Sequence, residues 1–144
     1  MGYEERNTWA GLIASLLVFP TYVILVLVQA DGGPLTEVDW WPIMAWTIGG
    51  GIALTIVVSI AWGIVAGARD PDGGGWSDQR DRDISRMGSR VGQGFLVIAG
   101  VAVISLCAFE ADWFWIANAM FAGFALSAFV GGIASAIAYR RGLV

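Results

Sequence analysis

The amino-acid sequence predicts an all-α membrane protein: four transmembrane helices, arranged as two tandem helical hairpins in parallel repeat. Three observations carry that expectation. The 144-residue chain is 57% hydrophobic and only 14% charged, where a soluble domain averages about a quarter charged residues. Four long stretches, 7–30, 40–68, 91–109 and 113–139, hold no charged residue at all. The arginines flank these stretches on alternate sides only.

A spanning helix takes about 20 mostly apolar residues. On that length the spans fall near 10–29, 42–66, 91–109 and 115–138. The period-2 alternation of a membrane barrel is missing. Residues 1–68 form the first hairpin, 69–90 an Arg/Asp-rich linker and 91–144 the second hairpin. Val28-Gln29-Ala30 loosely resembles a signal-peptide cleavage site. The apolar run before it exceeds the usual 7–15 residues of a leader, so the first span is expected to be retained. Pro20 predicts a kink in that span.

Orientation follows from the arginines, because basic loops stay on the cytoplasmic side. Arg6 precedes span one, Arg69, Arg80, Arg82, Arg86 and Arg90 separate spans two and three, and Arg140 and Arg141 follow span four. The other two connections hold Asp31, Glu37, Asp39, Glu110 and Asp112 and no basic residue. Both termini are therefore expected in the cytoplasm and the chain in the cell membrane. Trp9, Trp40, Trp41, Trp113, Trp115 and Tyr139 fall at span ends, the headgroup level that amphipathic rings favour. Trp46 and Trp62 lie inside span two and are expected to pack against neighbouring helices.

The chain reads as internally duplicated. Val38-Asp39-Trp40-Trp41-Pro42-Ile43 precedes span two, Ala111-Asp112-Trp113-Phe114-Trp115-Ile116 precedes span four, and their Asp-Trp pairs lie 73 residues apart. Gly50 and Gly123 match at the same offset. Each half enters from the same side, so the repeats are parallel.

Composition excludes several chemistries. The chain has no His, the commonest metal ligand and the usual general base near neutral pH. Its one cysteine, Cys107, allows no disulfide framework. No Asp, Glu, Arg or Lys stands at a predicted midplane, where a proton or ion relay needs one. No cofactor or resident metal is expected, and the chain does not read as an enzyme.

Three groups of residues remain as candidate sites. The first is the linker. Asp70-Pro71-Asp72-Gly73-Gly74-Gly75 reads as a turn, and Ser77 or Asp78 as a helix cap. Asp78 to Arg82 and Arg80 to Asp83 have ion-pair spacing on a helix, and Ile84, Met87 and Val91 share a face. A short amphipathic helix running into span three is expected. It serves either as a topology anchor lying on the bilayer or as a docking surface made of Arg80, Asp81, Arg82, Asp83 and Arg86. Five arginines and five aspartates balance between 69 and 90. That balance disfavours a polybasic lipid patch and direct nucleic-acid binding, both of which need excess positive charge. The second group is Glu37, Asp39, Glu110 and Asp112, which would gather an external cation if the two turns met; ordinary solvated turns are the plainer reading. The third is small and polar residues within the spans. Gly63, Gly67, Gly88, Gly92, Gly131 and Gly132 suit close helix packing, inside the chain or in a homo-oligomer. Gly49-Gly50-Gly51 belongs with them. Ser15, Thr21, Thr47, Thr55, Ser59, Ser105, Asn118, Ser127 and Ser135 can hydrogen-bond within or between helices.

Four motifs together resemble a family of small bacterial four-span membrane proteins with no assigned activity: Glu4-Glu5-Arg6-Asn7-Thr8-Trp9; Asp78-x-Arg80-Asp81-Arg82-x-Ile84; Glu110-Ala111-Asp112-x-Phe114-Trp115-Ile116-Ala117-Asn118; and Ala138-Tyr139-Arg140-Arg141-Gly142. The resemblance covers nearly the whole chain. Such proteins are often linked to a small helix-turn-helix regulator, which implies a regulatory or sensory role with a cytosolic partner. Members often carry His after the outer Asp; here that position is Trp113, which weakens any metal or proton role there. The leading functional expectation is a non-enzymatic membrane protein whose central loop docks a cytosolic partner. The alternative is a small homo-oligomeric transporter or channel.

Overall fold

In hydrocarbon a backbone must satisfy its own N–H and C=O groups, and a helix does so within one segment. Each of the four apolar runs folds that way. A computed structural model describes residues 3–69 and 79–141, with side-chain surroundings for 8–65 and 79–140. The helices are α1 (Tyr3–Ala30), α2 (Trp40–Arg69), α3 (Gln79–Ala108) and α4 (Trp113–Arg141), with a 3-10 turn at Leu35–Glu37. All four are long and apolar enough to cross a membrane. The protein is thus an all-α, four-helix membrane protein. Pro20 lies within α1 without ending it.

Every helix runs past its predicted span at the end where the arginines lie. The extension is longest in α3, whose 30 residues span about 45 Å at 1.5 Å per residue, well beyond the ~30 Å of a hydrocarbon core. The opposite, acidic end has short connections that stop the helices sharply. At the end of α3 the Ala111 N–H donates to the Leu106 carbonyl at 3.0 Å and the Glu110 N–H to the Cys107 carbonyl at 3.1 Å. This pair of bonds is a Schellman stop. Its left-handed residue, usually Gly, is Glu110 at φ 52°. Asp31 takes a similar conformation, φ 44°, after α1. Asp112 then caps α4, its carboxylate accepting from the Phe114 N–H at 2.8 Å.

Lipid is as apolar as leucine, so helices in a membrane associate through close contact rather than through escape from water. The closest pairing is α3 with α4. On α4 the residues Gly123, Ser127, Gly131 and Ser135 recur every fourth position and form one face. A Cβ at Gly88 would lie 2.7 Å from the Gly131 carbonyl, and one at Gly131 would lie 2.8 Å from the Gly88 carbonyl. A Cβ at Gly92 would lie 2.8 Å from the Ser127 carbonyl, and one at Gly123 would collide with the Ala99 methyl. Gly132, one residue round the helix, faces α1 instead, with Leu12 Cδ2 at 2.7 Å from its would-be Cβ. The adjacent glycines of α4 therefore serve two different neighbours.

Helix α1 lies between α2 and α4, and α2 rests mainly on α1. Their contact is closest at Gly51, where Val18 Cγ2 stands 2.7 Å from a would-be Cβ. Gly49, Gly50 and Gly63 meet nothing within 4 Å. Packing within the chain is therefore not the role of Gly63, because that face of α2 has no helix beside it; the surroundings of Gly67 lie outside the described side chains. The 73-residue match also pairs positions of different character, since Gly50 is open while Gly123 is packed. Trp46 and Trp62 are 81% and 39% exposed. The expectation that Trp46 packs against neighbours is corrected: it is largely exposed, whereas Trp62 is mostly covered.

The larger side chains gather towards the acidic end. Tyr22, Val26, Val38, Met44, Phe114 and Phe121 form the core there. Tyr22 meets Phe121 edge-on at 4.9 Å between ring centroids, and Trp40 meets Phe114 at 6.3 Å. Trp40 thus belongs partly to this core as well as to the headgroup belt. At the arginine end the Arg140 guanidinium lies 5.7 Å over the Trp9 ring, tying the start of α1 to the end of α4.

Gly88→Leu is expected to force the α3 and α4 backbones apart and to cost about 1–3 kcal/mol. Gly63→Leu, placed in open space, is expected to leave stability unchanged. Thermal melting of the helical circular dichroism signal in detergent checks both; equal melting temperatures for the two variants would refute the packing assignment.

Candidate functional site

The charged segment is not a separate surface helix. It is the first part of α3, continuous with the membrane span from Gln79 onwards. The capping pair Ser77 and Asp78, and hence the Asp78–Arg82 ion pair, lie outside the described residues. Among the described residues Asp83 pairs with Arg86, at 4.0 Å, and not with Arg80 as the spacing suggested. Both members are largely exposed, so the pair contributes little to stability. Arg80 and Arg82 are also exposed and Asp81 is half-buried.

The apolar face of this segment is the expected one only in part: Ile84 lies on it, and Met87 is half-buried. Ile84 is completely buried, and Gly88, Gly92 and Ala99 continue its face into the bundle. Val91, expected on that face, is 38% exposed. The small residues decide the rotation: only their side of α3 lets the backbone reach α4. The segment is therefore anchored to the bundle through Ile84.

Between α1, α3 and α4 the arginine end contains a polar cleft of about 380 Å³. Ser85, Ser89 and Gln93 of α3, Ser127 and Ser135 of α4 and Thr8 of α1 supply its polar groups. Gly88, Gly92 and Gly131 line it too, on the wall where α3 and α4 meet. The sequence reading singled out these glycines without the cleft. It also passed over Ser85, Ser89 and Gln93, because they follow the arginines in an already polar segment. A second groove of about 470 Å³ lies further towards the acidic end. It runs between α2 and α4 over α1, with Ile52 and Ile56 on one side and Phe121 and Phe124 on the other.

The four outer carboxylates do not form a site. Among the described residues no three His, Cys, Asp or Glu side chains come together as a metal-binding group. Glu37, Asp39, Glu110 and Asp112, expected as a site for an external cation, are thus not gathered into such a group. Asp112 serves its own helix instead, its carboxylate accepting from the Phe114 N–H as a cap.

Most polar groups in the spans are satisfied by their own helix. Ser15, Thr47, Thr55 and Ser105 donate to carbonyls three or four residues earlier, at 2.7–3.0 Å. Asn118 does the same to Phe114 at 2.8 Å. Asn118 is also the polar neighbour of the Tyr22 hydroxyl. Tyr22 is 1% exposed. Its central place went unread in the sequence, where one Tyr among apolar residues carries no periodic signal. No family model, curated protein or solved structure matches the chain.

Removing the left-handed strain with Glu110→Gly is expected to stabilise the protein by about 0.5–1 kcal/mol, the helix-stop gain less the added freedom of the unfolded chain. Asp112→Ala is expected to cost about 1 kcal/mol through loss of the cap. Paired thermal melts of the two variants check the opposite signs.

Proposed function

We propose that the protein is a non-enzymatic membrane protein with a regulatory or sensory role, exerted through a cytosolic partner that docks on Arg80, Asp81, Arg82, Asp83 and Arg86. Both termini and this segment are then cytoplasmic, in the cell membrane of a bacterium. The observation that carries the reading is the continuity of α3. The exposed arginines stand on a helical extension of a membrane span. Ile84, in the middle of them, is fully buried. A partner gripping this face would pull on the α3–α4 contact directly, with no flexible joint between.

The mixed charges favour a folded protein as the partner. Alternating Arg and Asp offer a pattern to be matched, which selects partners more than it raises raw affinity. Back-bonded hydroxyls in the spans, and the absence of a midplane charge, support this reading over a transport pathway. One observation favours the second reading, a homo-oligomeric transporter or channel. The most apolar stretch of α2 has no buried residue, and its Gly49, Gly50 and Gly63 are open to another helix.

Affinity purification from native membranes after cross-linking, with the wild type beside Arg80→Ala/Arg82→Ala/Arg86→Ala, tests the docking surface. A stoichiometric soluble protein lost from the variant is the expected result. Recovery of the same proteins from both would remove the basis for the reading. Recovery of only a second copy of the chain would favour the oligomer, and flux through proteoliposomes is the measurement that then decides. Topology is checked separately in a Cys107→Ala background. Thr36→Cys should react with a membrane-impermeant maleimide on intact cells, and Asp83→Cys only after permeabilisation.

A further inference from the structure

A hydroxyl or amide that meets no partner in an apolar medium costs about 2–7 kcal/mol. Ser15, Thr47, Thr55 and Ser105 avoid that cost by donating to carbonyls of their own helix. The polar groups of the cleft do not. Among the described residues, the side chains of Gln93, Ser127 and Ser135 have no hydrogen-bond partner. Ser135 is only 5% exposed, and it lines the cleft with the other two. The partners of these three side chains must therefore come from what enters the cleft.

Depth and charge say what that is. Thr8 and Ser85 lie towards the arginine end of the cleft, and Ser127 stands at the midpoint of α4 (Trp113–Arg141). Beyond Ser127 the seam closes, since a Cβ at Gly123 would collide with the Ala99 methyl and Phe121 belongs to the aromatic core. No Asp, Glu, Arg or Lys lines the cleft. At its rim the charges offset each other. At 100° per residue, Asp81 stands about 40° to one side of Ser85 around α3 and Arg82 about 60° to the other. The mouth therefore favours neither sign. A volume of about 380 Å³ holds on the order of ten waters at ~30 Å³ each.

We propose that the cleft is a water-filled vestibule, open at the arginine end and closed near the middle of the membrane, which admits small uncharged hydrogen-bonding solutes and holds back ions. Water there gives Gln93, Ser127 and Ser135 the partners that hydrocarbon lacks. An ion entering it would lose hydration and gain no countercharge from the wall, a cost that a neutral solute escapes. The vestibule goes beyond partner docking and does not depend on it. A solute seated in it touches α1, α3 and α4 together, and only the acidic half of the bundle remains as an apolar barrier.

Two adjacent residues supply the test. Ser127 lines the cleft, while Leu126, within about 1.5 Å of the same depth, is 50% exposed on the outer side of α4. Ser127→Cys and Leu126→Cys are made in the full chain with Cys107→Ala and reconstituted in phosphatidylcholine vesicles. Each is treated with hydroxyethyl methanethiosulfonate, which is uncharged, and with its sulfonatoethyl and trimethylammonioethyl analogues. The thiolate is the reacting form, and it persists in water and not in hydrocarbon, so the rate reports hydration. Rates are taken relative to Asp83→Cys, exposed at the same end. Ser127→Cys should react with the uncharged reagent about tenfold faster than Leu126→Cys, and with either charged reagent about tenfold slower than with the uncharged one. Because Ser127 packs beside Gly92, Gln93→Cys serves as a second probe and should behave like Ser127→Cys; it decides the matter if Ser127→Cys lowers the melting temperature. Reaction of both probes no faster than Leu126→Cys would overturn the vestibule. Equal relative rates for charged and uncharged reagents would overturn its restriction to neutral solutes.

Discussion

The backbones of α3 and α4 meet at Gly88, Gly92 and Gly131, where no side chain separates them. In a membrane this kind of contact is the main source of helix association, because burying leucine against leucine gains little over leucine against lipid. Dispersion between closely apposed backbones, with Cα–H groups facing carbonyls, holds the pair. The rest of the molecule follows from that approach. It sets the rotation of α3, buries Ile84, and directs Ser85 and Ser89 towards the cleft. It also places α4 so that its next face, at Gly132 and Phe121, receives α1.

Each end of the bundle is stabilised differently. At the acidic end, large aromatic side chains interlock around Tyr22 and Phe121, and tight turns stop the helices. At the arginine end, small residues bring the helices together but leave gaps where α1 diverges from α3. The aromatic core thus lies at the end away from the arginines, and the polar cleft at theirs. A molecule that changes the spacing of α1, α3 and α4 acts at the same end as a molecule that docks on the Arg80–Arg86 segment.

Helix α2 touches the bundle mainly through α1, at Gly51 and in the aromatic core. Its remaining surface, including Trp46, faces outwards. A helix held on one side is the element most able to shift, since few contacts oppose its movement.

Class, span number and the alternation of arginines were legible in the sequence by itself, because they rest on length and on the cost of placing charge in hydrocarbon, and neither depends on which helices touch. The caps and stops were only half legible: Asp112 reads as a cap from its position, but nothing local marks Glu110 as a left-handed stop. The tertiary structure alone decided which face of each helix is buried. Periodicity favours a face of α3 with Ile84, Met87 and Val91; Ile84 is buried, but the packed face is turned towards Gly88 and Gly92, since close approach rewards small residues. Neighbouring Gly131 and Gly132 look alike in the sequence and serve different helices, because successive residues on a helix point 100° apart. The cleft belongs wholly to the tertiary level. Serines from two helices and a threonine from a third line it together; the four-residue spacing of Ser85, Ser89 and Gln93 marks a polar face of α3, but only the packing of the helices shows that α1 and α4 complete a cleft there.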